Sequence, residues 1–223
     1  MKYFEMDFLE FFKDLAANNN RDWFLENKKR YEKSVKKPFE HFTSELIKEI
    51  RKYDKSVNIK PFEAIFRINR DIRFSKDKTP YKLNTSAAIA DGGRKTQGAS
   101  GIYIEFGPEK MGLAGGIYMP DKDLLYDIRS YLTKKPDALQ KVLSDKTFKK
   151  YWGELQGEKN KILPPEFKEA AVLCPHIYNK QFFYWVEMKA STITSEKLME
   201  TVIEYYNAAQ PVSKFLHSIL KKK

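Results

Sequence analysis

Apolar residues recur at three- and four-residue steps along the first quarter of the chain. Met6, Leu9, Phe12 and Leu15 trace one face of a helix from Glu5 to Ala17. Asn18-Asn19-Asn20 interrupts it, and Asn20 is suited to cap a second helix with Asp22 in its first turn. A longer stripe follows, through Trp23, Asn27, Tyr31, Val35, Phe39, Phe42, Leu46, Ile50 and Tyr53. Its period predicts helix throughout, with Pro38 either starting a new helix or kinking a single one. An aromatic stripe at this spacing is a core face far more often than a base-stacking surface.

The pattern then changes period. Phe62, Ala64, Phe66 and Ile68 alternate with their neighbours and predict a strand. Continued as a strand, the segment would put Arg67, Asn69, Asp71 and Arg73 on one face. Continued as a helix, it would group Arg67, Arg70 and Asp71. Ser75 to Pro80 has no apolar residue and reads as a loop. Ser86 to Ala90 predicts a short strand, Asp91-Gly92-Gly93 a turn and Arg94 to Ser100 a flexible loop. Gly101 to Phe106 and Gly112 to Met119 predict a hairpin, which Pro120 ends, and Phe182 to Met188 a strand of the same sheet. Helices are predicted over Asp121–Leu132, Pro136–Leu143 and Thr147–Leu155, with 162–175 irregular. Thr194 or Ser195 would cap a final helix, with Leu198, Val202, Tyr205, Ala209, Val212, Leu216 and Ile219 inside and a kink at Pro211. Helices at both ends with strands between imply an α+β fold with a mostly antiparallel sheet.

Composition narrows the classes. The chain has 223 residues, no internal repeat and no long linker-like stretch, so a single domain over residues 1–223 is expected. No run of apolar residues is long enough to span a membrane, and the N-terminus lacks a signal-peptide pattern. With Cys174 as the only cysteine, no intrachain disulfide can form, which fits a reducing cytoplasm. The formal net charge of +11 suggests affinity for polyanions. Residues 61–100 carry 8 basic and 4 acidic groups and hold the local excess inside the folded region. Lys221, Lys222 and Lys223 form a basic tail expected to be solvated and frayed.

The candidate chemistry lies between Arg67 and Tyr81. From Arg67 to Lys82 there are 6 basic and 2 acidic residues, interleaved with Ile68, Ile72 and Phe74. Charges alternating with apolar residues suggest that some of them lie near the core, where a guanidinium must be paired or meet an anion. Arginine forks grip phosphates and carboxylates through paired hydrogen bonds. The expected anion-binding residues are Arg67, Arg70, Arg73, Lys78 and Tyr81, with Asp71 and Asp77 behind them orienting the guanidiniums. At least two of the three guanidiniums are expected to share one solvent-reaching pocket. A purely architectural network is the alternative.

Other motifs are weaker. His41, His176 and His217 have no metal-ligand spacing, so neither metal nor cofactor is expected. Cys174-Pro175-His176 sets a thiol two residues from an imidazole, more consistent with a buried structural cysteine than with a nucleophile. No phosphate-loop signature occurs among the glycines, although Gly115-Gly116 within a strand would let a ligand or another chain approach closely.

The string Arg67-x-x-Arg70-Asp71-x-Arg73-Phe74-x-x-Asp77-Lys78-x-Pro80-Tyr81 resembles the signature of domain of unknown function 2461, a widespread and mostly bacterial family. Asn20-Arg21-x-Trp23-Phe24 and the region from Gly101-Ile102-Tyr103 to Met119-Pro120 are similar to it as well. The resemblance implies one compact domain of about this length and assigns no chemistry. The expected partner is a phosphate-bearing small molecule or a nucleic acid, with no membrane. Two other readings stay open: an enzyme acting on a phosphorylated or carboxylated small molecule with Tyr81 or an aspartate carrying the proton, and a structural motif whose function lies in a protein partner. The sequence leaves the oligomeric state open.

Overall fold

The computed structural model describes residues 1–95 and 101–220. The Lys221–Lys223 tail and most of the loop expected after Arg94 lie outside the described residues. The fold is α+β: one antiparallel sheet with helices at both ends of the chain. The sheet runs in the order β1 (Thr85–Ile89), β2 (Ile102–Phe106), β3 (Lys110–Ile117), β4 (Phe182–Lys189), so sequential strands are neighbours. The hairpin and its third strand are where the alternation put them. Among the described residues, no helix is long and apolar enough to cross a membrane.

The chain's contacts group into two compact units. One comprises Met1–Arg94, Tyr103–Leu113 and Glu187–Ile203; the other comprises Lys95–Ile102, Ala114–Val186 and Glu204–Lys223. The first unit begins with α1 (Met6–Ala17) and α2 (Arg21–Glu26), the latter capped by Asn20, whose side chain accepts a hydrogen bond from the Trp23 amide. The long stripe is then served by α3 (Lys28–Tyr31), a π turn (Glu32–Lys36) and α4 (Lys37–Arg51). Pro38 has no N–H for the carbonyl four residues back. The π turn absorbs this defect: the Lys37 N–H reaches the Glu32 carbonyl, one residue further than in an α-helix. The apolar faces meet in an aromatic core of Phe4, Phe8, Phe12, Phe39, Phe42 and Phe106, with mostly edge-to-face or tilted rings. Arg30 ties these helices together, binding Asp7 through Nε and Nη2 and Asp14 through Nη1 at 2.7 Å.

The expected strand from Phe62 is absent. Pro61–Ala64 is instead a single helical turn, α5. Pro61 is pre-set for the first helical position, and the Glu63 carboxylate accepts from the Lys60 amide at 2.8 Å. Phe62 consequently points to solvent, 67% exposed, and its alternation with Ala64 and Phe66 is coincidental.

The second unit contains α6 (Lys122–Lys134), α7 (Pro136–Leu143), α8 (Lys146–Trp152) and the C-terminal part of α10 (Leu198–Leu220), with Tyr184 fully buried among residues of α8 and α10. Tyr184 meets Phe148 and Trp152 edge to face, and the Trp152 indole donates to the Tyr205 carbonyl at 3.0 Å. In α10 it is Tyr206, not Tyr205, that is fully buried, and Pro211 lies inside a helix that runs unbroken. The segment 162–175 is not irregular: a 3₁₀ turn leads into α9 (Lys168–Leu173). Its Val172 and Leu173 face solvent, so no apolar stripe announces it.

At Gly115 and Gly116 what comes close is this chain's own β4. A Cβ on Gly115 would lie 2.5 Å from the Tyr184 hydroxyl, and one on Gly116 would lie 2.3 Å from the Phe182 carbonyl oxygen. Gly116 also has φ +90°, which L side chains rarely adopt. Gly116→Ala should therefore lower the unfolding free energy by about 2–4 kcal/mol, combining backbone strain and the clash. Urea denaturation checks this, and a change below about 0.5 kcal/mol would show that β3 can move away from β4.

Candidate functional site

The arginine-rich segment is a lobe on an antiparallel neck, entirely within the first unit. Phe66 donates its amide to the Ser86 carbonyl at 2.9 Å, Lys82 to Ile68 at 2.8 Å, and Arg70 to Pro80 at 2.9 Å. Isolated bridges join Ile65 to Ala87 and Asn69 to Tyr81. One residue, Arg67, separates Phe66 from Ile68, whereas Leu83, Asn84 and Thr85 separate Lys82 from Ser86. The return arm thus carries two extra residues, and this bulge keeps the neck from becoming a regular ladder. The choice between strand and helix for Arg67–Arg73 resolves into neither.

The base of the lobe is rigid. Tyr81 is buried, with its ring stacked on Phe24 at 4.0 Å and 18°. The Asn19 side chain meets the Tyr81 backbone twice, donating to its carbonyl at 2.9 Å and accepting from its amide at 3.1 Å. Arg94 donates to the Phe62 and Ile65 carbonyls and holds the start of the outgoing arm. Gly93 makes this approach possible, since a Cβ there would lie 2.6 Å from the Glu63 carbonyl oxygen.

Above the neck, Arg70 Nη1 donates to both Asp77 Oδ2 and Thr79 Oγ1. Asp77 Oδ1 accepts from the Thr79 amide at 2.9 Å, and Oδ2 from the Thr79 hydroxyl at 3.1 Å. These contacts clasp the two ends of the loop. They hold the Asp77 carboxyl down at about 2, the Thr79 amide contributing most and the Arg70 guanidinium next. Asp71 accepts from Arg73 Nε at 3.0 Å and Nη2 at 2.7 Å, which lowers its own pKa. This pair occupies one edge of a guanidinium whose side chain is 75% exposed. Lys78 donates to the Ile72 carbonyl at 2.9 Å. Arg70 and Arg73 therefore use different carboxylates.

The expectation that some of these charges approach the core does not hold. No residue from Ile65 to Pro80 is buried, and Phe74 is 95% exposed beside the Arg73 guanidinium, whose Cζ is 5.8 Å from the ring centroid. The interleaved Ile68, Ile72 and Phe74 serve the lobe's own surface and do not enter a core. Among the described residues, no hydrogen bond or ion pair engages the side chains of Arg67 or Lys76. Lys82 lies over the Phe66 ring at 5.4 Å, and Phe66 meets Tyr103 edge to face. Burial is the main cause of the lowered Lys82 pKa; Arg67 adds to it and Glu105 opposes it.

Sequence reasoning missed Thr79, Lys76, Lys82, Asn19 and Arg94. Thr79 carried a usable signal, because Asp77-x-Thr79 before Pro80 is an Asx-turn spelling. Burial raises the pKa of the Cys174 thiol and lowers that of His176, the opposite of an activated thiolate–imidazolium pair. Among the described residues, no three His, Cys, Asp or Glu side chains are placed to hold a metal ion.

The family model described as conserved hypothetical protein (DUF2461) matches residues 7–215, and the chain belongs to that family. No curated protein matches the chain.

The clasp has a pH signature. The pKa of Asp77 is depressed in the folded state, so the clasp is complete above about pH 4 and is lost as pH falls through about 2. At neutral pH, Asp77→Asn should speed trypsin cleavage after Arg70, Arg73, Lys76 and Lys78 several-fold while leaving Tm within about 2 °C, because no buried contact is lost. Equal cleavage rates would show that the backbone neck alone fixes the loop.

Proposed function

We propose that this member of the conserved hypothetical family binds a phosphate-bearing anion at the lobe from Arg67 to Lys82. One observation carries the reading. The lobe has six cations and two carboxylates, and both carboxylates are spent locally, Asp77 on Arg70 and Asp71 on one edge of Arg73. Among the described residues, Lys76, Lys82 and the outer edge of Arg73 make no ion pair in the lobe, and Arg67 meets Asp71 only through space, behind the direct Arg73–Asp71 pair. A single exposed ion pair contributes only about 0–1 kcal/mol, so the reading requires an anion that meets several cations at once, as a chain of phosphates does.

Arg70 has an architectural role in this reading: it closes the loop that carries the other cations. Asp71 acts as the orienting acceptor for Arg73. Catalysis is the weaker alternative. The lobe's two carboxylates are held below their ordinary range, which makes them poor proton acceptors at neutral pH, and Tyr81 is buried against Phe24. A cytoplasmic setting belongs to the same proposal, supported by the single cysteine and by the abundance there of nucleotides and nucleic acids.

The test is a triple variant, Arg67→Gln, Arg73→Gln and Lys76→Gln, titrated with inorganic tripolyphosphate by calorimetry and thermal shift. Tripolyphosphate should stabilise the unmodified protein, and its affinity should fall on the order of tenfold or more in the variant, whose own Tm should barely move. Unchanged affinity, or no stabilisation of the unmodified protein, would overturn the reading.

A further inference from the structure

We infer that the anion is a single-stranded nucleic acid and that Phe74 is the platform on which one of its unpaired bases stacks; this rests on the anion site proposed above. Phe74 is the most exposed of the large apolar side chains among the described residues, at 95%. A lone exposed apolar residue needs no explanation by itself. Phe74, however, lies within the uncompensated basic lobe, between Arg73 and Ser75-Lys76, with the Arg73 guanidinium held beside its ring by Asp71. A second aromatic–cation pair, Phe66 on the outgoing arm with Lys82 on the return arm, lies at the neck of the same lobe. Cations that follow a phosphate backbone, interleaved with rings that meet base faces, are the two components of single-strand recognition.

Shape selects among phosphate-bearing ligands. No residue from Ile65 to Pro80 is buried, so the lobe is a raised feature and lacks the concavity that encloses a mononucleotide. A flexible strand can drape over such a feature. In a duplex the base faces are stacked away, and the lobe offers neither helix nor regular strand to read a groove. A membrane surface fits less well, because one ring supplies little apolar area and its neighbours carry both signs of charge.

The experiment measures fluorescence anisotropy of a dye-labelled oligothymidine with the full chain, with tripolyphosphate and anionic phosphatidylglycerol vesicles as separate probes. Phe74→Ala should weaken oligothymidine binding by about tenfold and change tripolyphosphate binding less than about twofold, whereas Phe74→Trp should restore the oligonucleotide affinity. At 95% exposure, Phe74 can be replaced without a folding cost, and the Tm of each variant checks this. Suppose Phe74→Ala leaves oligothymidine affinity intact while the triple cation variant loses tripolyphosphate. The anion site then stands and the single-strand inference falls. If the triple variant loses neither probe, both fall. Vesicle binding that depends on Phe74, with oligothymidine binding that does not, would replace the inference with a lipid surface.

Discussion

The character of the basic lobe follows from how its two carboxylates are spent. Asp77 accepts from Arg70 and from both the amide and hydroxyl of Thr79, which joins the ends of the loop from Arg70 to Thr79. Asp71 binds the Arg73 side chain through two nitrogens and keeps its plane fixed. These are exposed contacts, and exposed ion pairs contribute little to global stability. Their effect is to give shape. With both acids committed, the remaining cations cannot be neutralised from within the lobe. They stand on a base that Tyr81, Phe24 and Asn19 hold still. A rigid scaffold presenting a charged loop is a common way to build a binding surface.

Much of the fold was legible because its elements keep their periods. The α1 face buries Leu9, Phe12 and Leu15 but leaves Met6 exposed, β2 buries Ile102, Ile104 and Phe106, and α10 buries every residue of its expected inner face except Tyr205. The failures have local causes. At Phe62 the start signal supplied by Lys60, Pro61 and Glu63 outweighs an alternation that spans only a few residues. At Val172 and Leu173 a short helix turns apolar residues outward, so it has no stripe to read. At Pro38 the sequence allowed a break or a kink, and the chain uses a π turn.

The site was legible as a place and not as an arrangement. The excess of cations over acids between Arg67 and Lys82 can be counted in the sequence. The pairing of Arg70 with Asp77, seven positions on, cannot, because it depends on the turn that brings the two ends of the loop together above the Arg70–Pro80 bond. Neither strand nor helix periodicity sorts the three arginines, because residues 67–73 form an isolated bridge and bends with no regular element.

The central claim is that Arg67, Arg73, Lys76 and Lys82 are the cations that an incoming phosphate chain meets. It is tested most directly by following arginine Nε and lysine Nζ resonances by NMR while inorganic tripolyphosphate is added. The account predicts that these four side chains shift first and together, with Arg70 perturbed less because it stays in its clasp with Asp77. Shifts confined to lysines elsewhere, or an Arg70 that leaves Asp77 for the anion, would contradict it.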